Sequence, residues 1–164
     1  MLLLLNGPPG VGKSTVAARY VDEHPLALNL DIDLLRAQLG RWQDDPTSAG
    51  RLARELAVAA ARTHLRSGHD VVVPQFLARV EFIDRLAALA DEVGVDFVEV
   101  ILLDSKENTR RRFQERDDTS KAVDPLELST MHDRLLALVP TRPHALTVHT
   151  GTVAETYARL LAVL

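Results

Sequence analysis

The sequence predicts a three-layer α/β fold in which a parallel sheet carries helices on both faces. Three observations point to it. Short apolar runs alternate with segments of helical period along the whole chain. Runs such as Leu2 to Leu5 and Val71 to Val73 are apolar at every position rather than at alternate ones, the pattern of strands buried on both faces. The first run passes into the first helical segment through a turn rich in glycine and proline, within LLLLNGPPGVGKST.

Taken in order, Leu2 to Asn6 reads as strand one and Lys13 to Glu23 as the helix after it. Leu26 to Leu30, between Pro25 and Asp31, is a short buried strand, and Asp33 to Leu39 a short helix stopped by Gly40. Arg41 to Gly50 holds the only tryptophan, Trp42, among turn-forming residues and reads as a loop. Leu52, Leu56, Ala59, Ala60 and Thr63 recur at helical spacing, so Arg51 to Ser67 is predicted as an amphipathic helix ending at Gly68. Val71 to Val73, closed by Pro74, is strand three. Phe82, Ile83, Leu86, Leu89, Ala90 and Val93 form the buried face of the next helix, which Gly94 ends, and Phe97 to Leu103 is strand four.

From Ser105 to Arg116 the pattern is helical and basic, and Asp117 to Val123 is polar, so that about 105–125 reads as a mobile lid segment. Asp124, Pro125 and Glu127 announce a helix with Leu128, Met131, Leu135 and Leu138 on its apolar side. Ala145 to Val148 is strand five, and Thr152 with Glu155 opens a last helix that buries Tyr157, Leu160, Leu161 and Leu164.

The 164 residues form one domain, and 46% hydrophobic with 26% charged residues is a globular composition. A net charge of -4 disfavours long nucleic acid as a partner, although a local basic groove for 5′ ends is compatible with it. The absence of cysteine excludes disulfides, thiol nucleophiles and thiolate metal sites. The leading apolar run has no basic leader and is too short for a signal peptide or a membrane span, so a cytoplasmic location away from membranes is expected.

Gly7, Pro8, Pro9, Gly10, Val11, Gly12, Lys13, Ser14 and Thr15 match the phosphate-binding pattern G-x-x-x-x-G-K-S/T, the P-loop, in its required place between a strand and a helix. The glycines let backbone N–H groups turn toward phosphate oxygens, and the helix start adds its positive dipole end. Lys13 is expected to reach the β- and γ-phosphates and the Ser14 hydroxyl to ligate Mg2+. In a parallel sheet ligands bind beyond the carboxyl ends of the strands, so the residues after each strand are the ones to search for chemistry.

After strand two comes DIDLLR. Asp33 is placed to orient an acceptor hydroxyl and take its proton, and Arg36, one turn on, to hold a polar or anionic part of the acceptor. The competing reading makes Asp31 or Asp33 a helix cap. Of the two, one is the base and the other orders magnesium waters; Asp31 is the candidate metal residue. Arg112 and Arg116, at i and i+4, share a helix face and are candidates to neutralise the transferring phosphoryl group, against a solvated basic helix; Lys121 is a weaker candidate. Gln75 stands after strand three where no acid follows, either contacting the acceptor or a metal-bound water or satisfying a buried backbone group. Trp42 is either a lid over the acceptor or core, and Arg142 with Pro143 either flanks an adenine ring or forms a turn. The six histidines lack metal-ligand spacing. Asp91 to Gly94 spells a GTPase switch but ends a helix, and no base-reading Asn-Lys-x-Asp accompanies it.

GPPGVGKST, DIDLLR, GHDVVVPQF and RRRFQER, in that order, resemble the small P-loop kinases of the AAA_33 type, which include polynucleotide-kinase domains and, more distantly, chloramphenicol phosphotransferase and zeta-toxin kinases. The resemblance implies a P-loop NTPase fold with a five-stranded parallel sheet of order 2-3-1-4-5, ATP and Mg2+ as cosubstrates, and γ-phosphoryl transfer to a hydroxyl. It implies Asp33 as base, Arg36 on an acceptor phosphate, and Arg112 or Arg116 as lid arginine. Many relatives have an acid soon after strand three, where this chain has Pro74 and Gln75. The expectation is an ATP-dependent phosphotransferase acting on a small hydroxylated molecule such as a nucleoside, sugar or antibiotic, as a monomer or homodimer. The alternatives are a 5′-hydroxyl polynucleotide kinase and, of another class, a nucleotide-dependent switch without an acceptor.

Overall fold

The computed structural model describes residues 1–114 and 124–164. Its centre is a five-stranded parallel sheet of order β2-β3-β1-β4-β5, as expected, with β1 Leu2–Asn6, β2 Leu28–Asn29, β3 Val71–Pro74, β4 Phe97–Leu103 and β5 Leu146–His149. β1 is fully buried and pairs with β3 on one side (Leu5 opposite Pro74) and with β4 on the other (Leu5 opposite Val100).

Alternate residues of the strands feed two cores. On one face Leu2, Leu4, Val71, Val73 and Ile101 pack against helices α3 (Pro46–Arg66), α4 (Val80–Val93) and α6 (Pro125–Leu138). On the other Leu3, Leu5, Val72, Val100 and Leu102 pack against α1 (Lys13–Glu23) and α7 (Val153–Leu161). This is why the strands read as unbroken apolar runs. The remaining helices, α2 (Ile32–Ala37) and α5 (Lys106–Gln114), follow β2 and β4 at the carboxyl edge of the sheet.

Several boundaries fall where the sequence places them: α1 spans Lys13–Glu23, β4 spans Phe97–Leu103, and Gly94 ends α4 with φ 76°. The Thr152–Glu155 capping box opens α7, so Thr152 accepts from the Glu155 N–H while Glu155 accepts from the Thr152 N–H.

Four expectations are corrected. β2 is only two residues long, since it is an edge strand that pairs with β3 alone. α3 begins at Pro46, five residues before the expected start, because Asp45 accepts from the Ser48 N–H and Pro46 sits in the first turn; Gly50 is therefore helical. Its buried stripe is Ala49, Ala53, Ala57, Ala61 and Leu65, with Val58 beside it, whereas Leu52 and Leu56 are exposed. From Ala49 to Ala61 the small side chains at i, i+4 let the helix approach its neighbours closely, and only at its end does Leu65 fit the stripe. Leu161 and Leu164 are also exposed, and Thr156, Tyr157 and Leu160 form the buried face of α7.

Candidate active site

Asn6 closes β1 and is wholly buried. Its side-chain carbonyl accepts from the Gly7 N–H (2.8 Å) and the Leu77 N–H (2.9 Å), and its amide donates to the Leu77 carbonyl (2.9 Å). One residue thereby fixes both the entry to the P-loop and the segment after β3. Nothing in the sequence reading singles it out; a polar residue ending an all-leucine strand, next to Gly7, is the available signal.

The P-loop turns back toward α1 with Gly10 at φ 86° and Gly12 at φ 101°. Gly12 is the N-cap of α1 and provides no side-chain cap, so the first-turn N–H groups are presented to a ligand. A Cβ on Gly10 would lie 2.3 Å from the Thr109 carbonyl oxygen, so α5 packs directly on the loop. The Lys13 ammonium donates to the carbonyls of Gly7 (2.7 Å) and Pro8 (3.0 Å), held over the loop it is expected to serve. Ser14 and Thr15 follow it, both exposed.

On the β4–β5 side of the loop lies a cavity of about 410 Å³ between Gly10, Gly12 and Thr15 on one wall and Gly151, Thr152 and Val153 on the other. Arg112 borders it. Its guanidinium lies 2.9 Å from an Asp104 carboxylate oxygen and donates to the Gly151 carbonyl (3.2 Å). Asp104 also accepts from Thr150 (2.7 Å), Asn108 (2.9 Å) and the Ser105 N–H (2.7 Å). Burial opposes its ionisation, but these donors and the Arg112 charge prevail and hold the carboxyl below its usual range. Arg112 therefore comes to the loop, whereas Arg116 and Lys121, with the segment Asp117 to Val123, lie outside the described residues.

On the β2–β3 side, Asp31 is the N-cap of α2 and accepts from the N–H groups of Asp33 (2.9 Å) and Leu34 (3.3 Å). The capping role thus falls to Asp31. Asp33 instead pairs with Arg36 at 3.1 Å, and the Arg36 guanidinium lies 4.7 Å above the Trp42 ring, with its Nε buried and unpaired. Trp42 starts a short 3-10 turn, Trp42–Asp44, beside this pair. Gln75, just past β3, donates its backbone N–H to the Leu5 carbonyl (3.1 Å), while its side-chain oxygen is buried without a partner. Beyond it, a second cavity of about 400 Å³ is bordered by Arg79, Glu81, Arg134 and Thr141.

Arg142 does not border the cavity beside the P-loop; it precedes β5, and its guanidinium lies 2.9 Å from Glu99 and 2.7 Å from Asp84. Burial raises the Glu99 pKa despite the hydrogen bond from Arg142. Asp91 to Val93 end α4, so the apparent switch motif is helical. Among the described residues no group of three or more His, Asp or Glu side chains is placed to hold a metal, and no helix is long and apolar enough to cross a membrane.

Residues 2–138 match the model of the AAA_33 family, described as an AAA domain. The chain is 32% identical, over 141 residues, to an adenylate kinase from Kocuria rhizophila, with 74% of each chain covered. Among solved structures it superposes on a gluconokinase from Sinorhizobium meliloti 1021 with TM-score 0.67 and 22% identity, covering 98% of this chain and 89% of that one. It superposes on a Deinococcus radiodurans tunicamycin resistance protein with TM-score 0.65 and 19% identity, covering 99% and 94%. At these identities the structural likenesses establish the fold.

Proposed function

The chain belongs to the AAA_33 family and is a P-loop kinase, and on that premise we propose that residues 1–164 form one kinase domain that moves the γ-phosphoryl group of ATP to a hydroxyl of a small molecule. The observation that carries this reading is the division of labour in DIDLLR. Asp31 caps α2, so Asp33 is spared that duty and stands paired with Arg36 at the carboxyl edge of the sheet. In the proposed reaction the acceptor oxygen attacks the γ-phosphorus, its proton passes to the Asp33 carboxylate, and the bond to the β,γ-bridging oxygen breaks to release ADP. Lys13 turns from the Gly7 and Pro8 carbonyls to the β- and γ-phosphates, and the N–H groups at the start of α1 cradle them. The cavity under Arg112 takes the nucleoside end, with Arg112 supplying positive charge beside the phosphates.

The donor set suits magnesium that arrives on the nucleotide. It lacks a carboxylate cage among the described residues, and Mg2+ prefers phosphate oxygens, a hydroxyl and retained waters. The Ser14 hydroxyl would ligate the ion and the second Asp31 oxygen would take one of its waters. When bound, the ion neutralises charge that builds up on the phosphates.

A second reading has an observation of its own. Arg79 and Arg134 face the second cavity, and neither has an ion-pair partner among the described residues. Two such guanidinium groups suit an acceptor that carries a phosphate or carboxylate, which would include a nucleoside monophosphate of the kind the adenylate kinase relatives are named for. The test is transfer of labelled γ-phosphate to a panel of nucleosides, sugars, antibiotic-like alcohols, nucleoside monophosphates and a 5′-hydroxyl oligonucleotide. Transfer to a hydroxyl compound, lowered by about 10² or more in Asp33→Asn, is the expected result. Transfer only to monophosphates, with Asp33→Asn still active, would replace the first reading by the second; transfer to the oligonucleotide would make the 5′-hydroxyl reading correct.

A further inference from the structure

We propose that the side-chain oxygen of Gln75 holds a water of the magnesium–nucleotide complex, a deepening of the kinase reading that rests on it. β3 lies between β1, which runs into the P-loop, and β2, which runs into Asp31 and Asp33. Gln75 is the first residue past β3, bonded through its N–H to Leu5, and Leu77 two residues on is clamped by Asn6. It therefore stands at the carboxyl edge between the strand that leads to Ser14 and the strand that leads to the two carboxylates.

The Gln75 Oε1 is buried and accepts no hydrogen bond. A buried amide oxygen without a donor is a cost that a leucine of similar size would not incur, so the group is suited to a partner that comes with the ligand.

Oε1 can only accept, and the phosphate oxygens of ATP can only accept as well, so the phosphates cannot satisfy it. The adenine amine and the ribose hydroxyls go with the nucleoside end to the cavity under Arg112, which leaves two incoming donors for this edge of the sheet: the acceptor hydroxyl and the waters on magnesium. In the proposed reaction the hydroxyl proton goes to Asp33. The magnesium waters remain, and coordination makes them strong donors. Gln75 thus supplies a neutral acceptor where a carboxylate would add a negative charge, and the protein's own hold on magnesium is weaker by that charge.

The test measures binding rather than turnover. The affinity for a fluorescent, non-hydrolysable ATP analogue is determined with magnesium and with EDTA, and the ratio of the two is the magnesium gain. For Gln75→Leu the gain is expected to fall by about tenfold, the EDTA affinity to stay within about twofold, and the thermal midpoint of the free protein not to fall. For Gln75→Glu the gain is expected to rise. A Gln75→Leu protein with the full magnesium gain, or one that loses affinity equally with and without magnesium, overturns the assignment. Should Gln75→Leu not fold, an unchanged or reduced gain in Gln75→Glu overturns it alone. Wild-type protein that does not bind the analogue under either condition sinks the kinase reading itself, a result distinct from any change at Gln75.

Discussion

The Arg112 guanidinium lies 2.9 Å from Oδ2 of Asp104, the same oxygen that accepts the Thr150 hydroxyl at 2.7 Å. The ends of β4 and β5 and the last turn of α5 meet at this carboxylate. Its folded-state pKa is depressed, so its contribution to stability is present above the unfolded value, about 3.9, and is lost as pH falls through the lower folded value. Asp104→Asn is expected to lower the urea midpoint at pH 7 and to flatten the decline of stability as pH falls below about 4. Equilibrium unfolding of both proteins across that range is the measurement, and parallel acid limbs would refute the account.

Asp33→Asn keeps the size of the side chain and removes its basicity. Turnover is expected to fall by about 10² to 10⁴, with ATP affinity unchanged, since α2 is capped by Asp31 and not by Asp33. Circular dichroism and nucleotide titration separate loss of chemistry from loss of structure. Asp31→Asn is a poor substitute for this experiment, because it perturbs the cap.

Gly10 and Gly68 have nearly equal positive φ angles, 86° and 88°, but different surroundings. A Cβ at Gly68 meets nothing within 4 Å, whereas one at Gly10 runs into the Thr109 carbonyl. Gly68→Ala is expected to cost about 1 kcal/mol from the backbone conformation alone. Gly10→Ala is expected to cost more, about 2–3 kcal/mol, and to weaken nucleotide binding as well. Denaturant midpoints and an ATP-analogue titration read the two effects.

Leu56 and Ala57 are neighbours on α3 with opposite environments, 47% and 1% exposed. Ala57→Leu is expected to destabilise by about 1–3 kcal/mol through overpacking. Leu56→Ala is expected to change stability by less than about 0.5 kcal/mol. Equal effects in thermal melts would show that the helix is rotated from the orientation described.

These comparisons locate what the sequence reveals and what it conceals. The P-loop, α1 and β4 are legible because local chemistry decides them: glycines with a lysine, and an unbroken apolar run. The phase of α3 is not, because leucine is the stronger hydrophobic signal while the sheet demands the smaller alanine at the contact, a tertiary choice. The early start at Asp45 and Pro46 was available as a cap signal but was masked by the turn-like composition around Trp42. In the site, Lys13, Asp33 and Arg36 can be found by motif, and Asp104 and Thr150 fall just after strands four and five, where a parallel sheet directs the search; that those two pair with each other across 46 positions, and Asn6 with Leu77 across 71, is a relation no local pattern contains.

The Asn6 clamp also has a mechanical meaning. Through its three bonds to Gly7 and Leu77, the phosphate cradle and the stretch leading to Gln75 and Arg79 form one stator, with no seam between them. Room for an incoming acceptor must then come from elements that swing against that stator. The flank built by α2 and Trp42 is held to it by the two-residue edge strand β2 and by Ile32, buried in the core with α3 at the start of α2, so that α2 would move only together with α3.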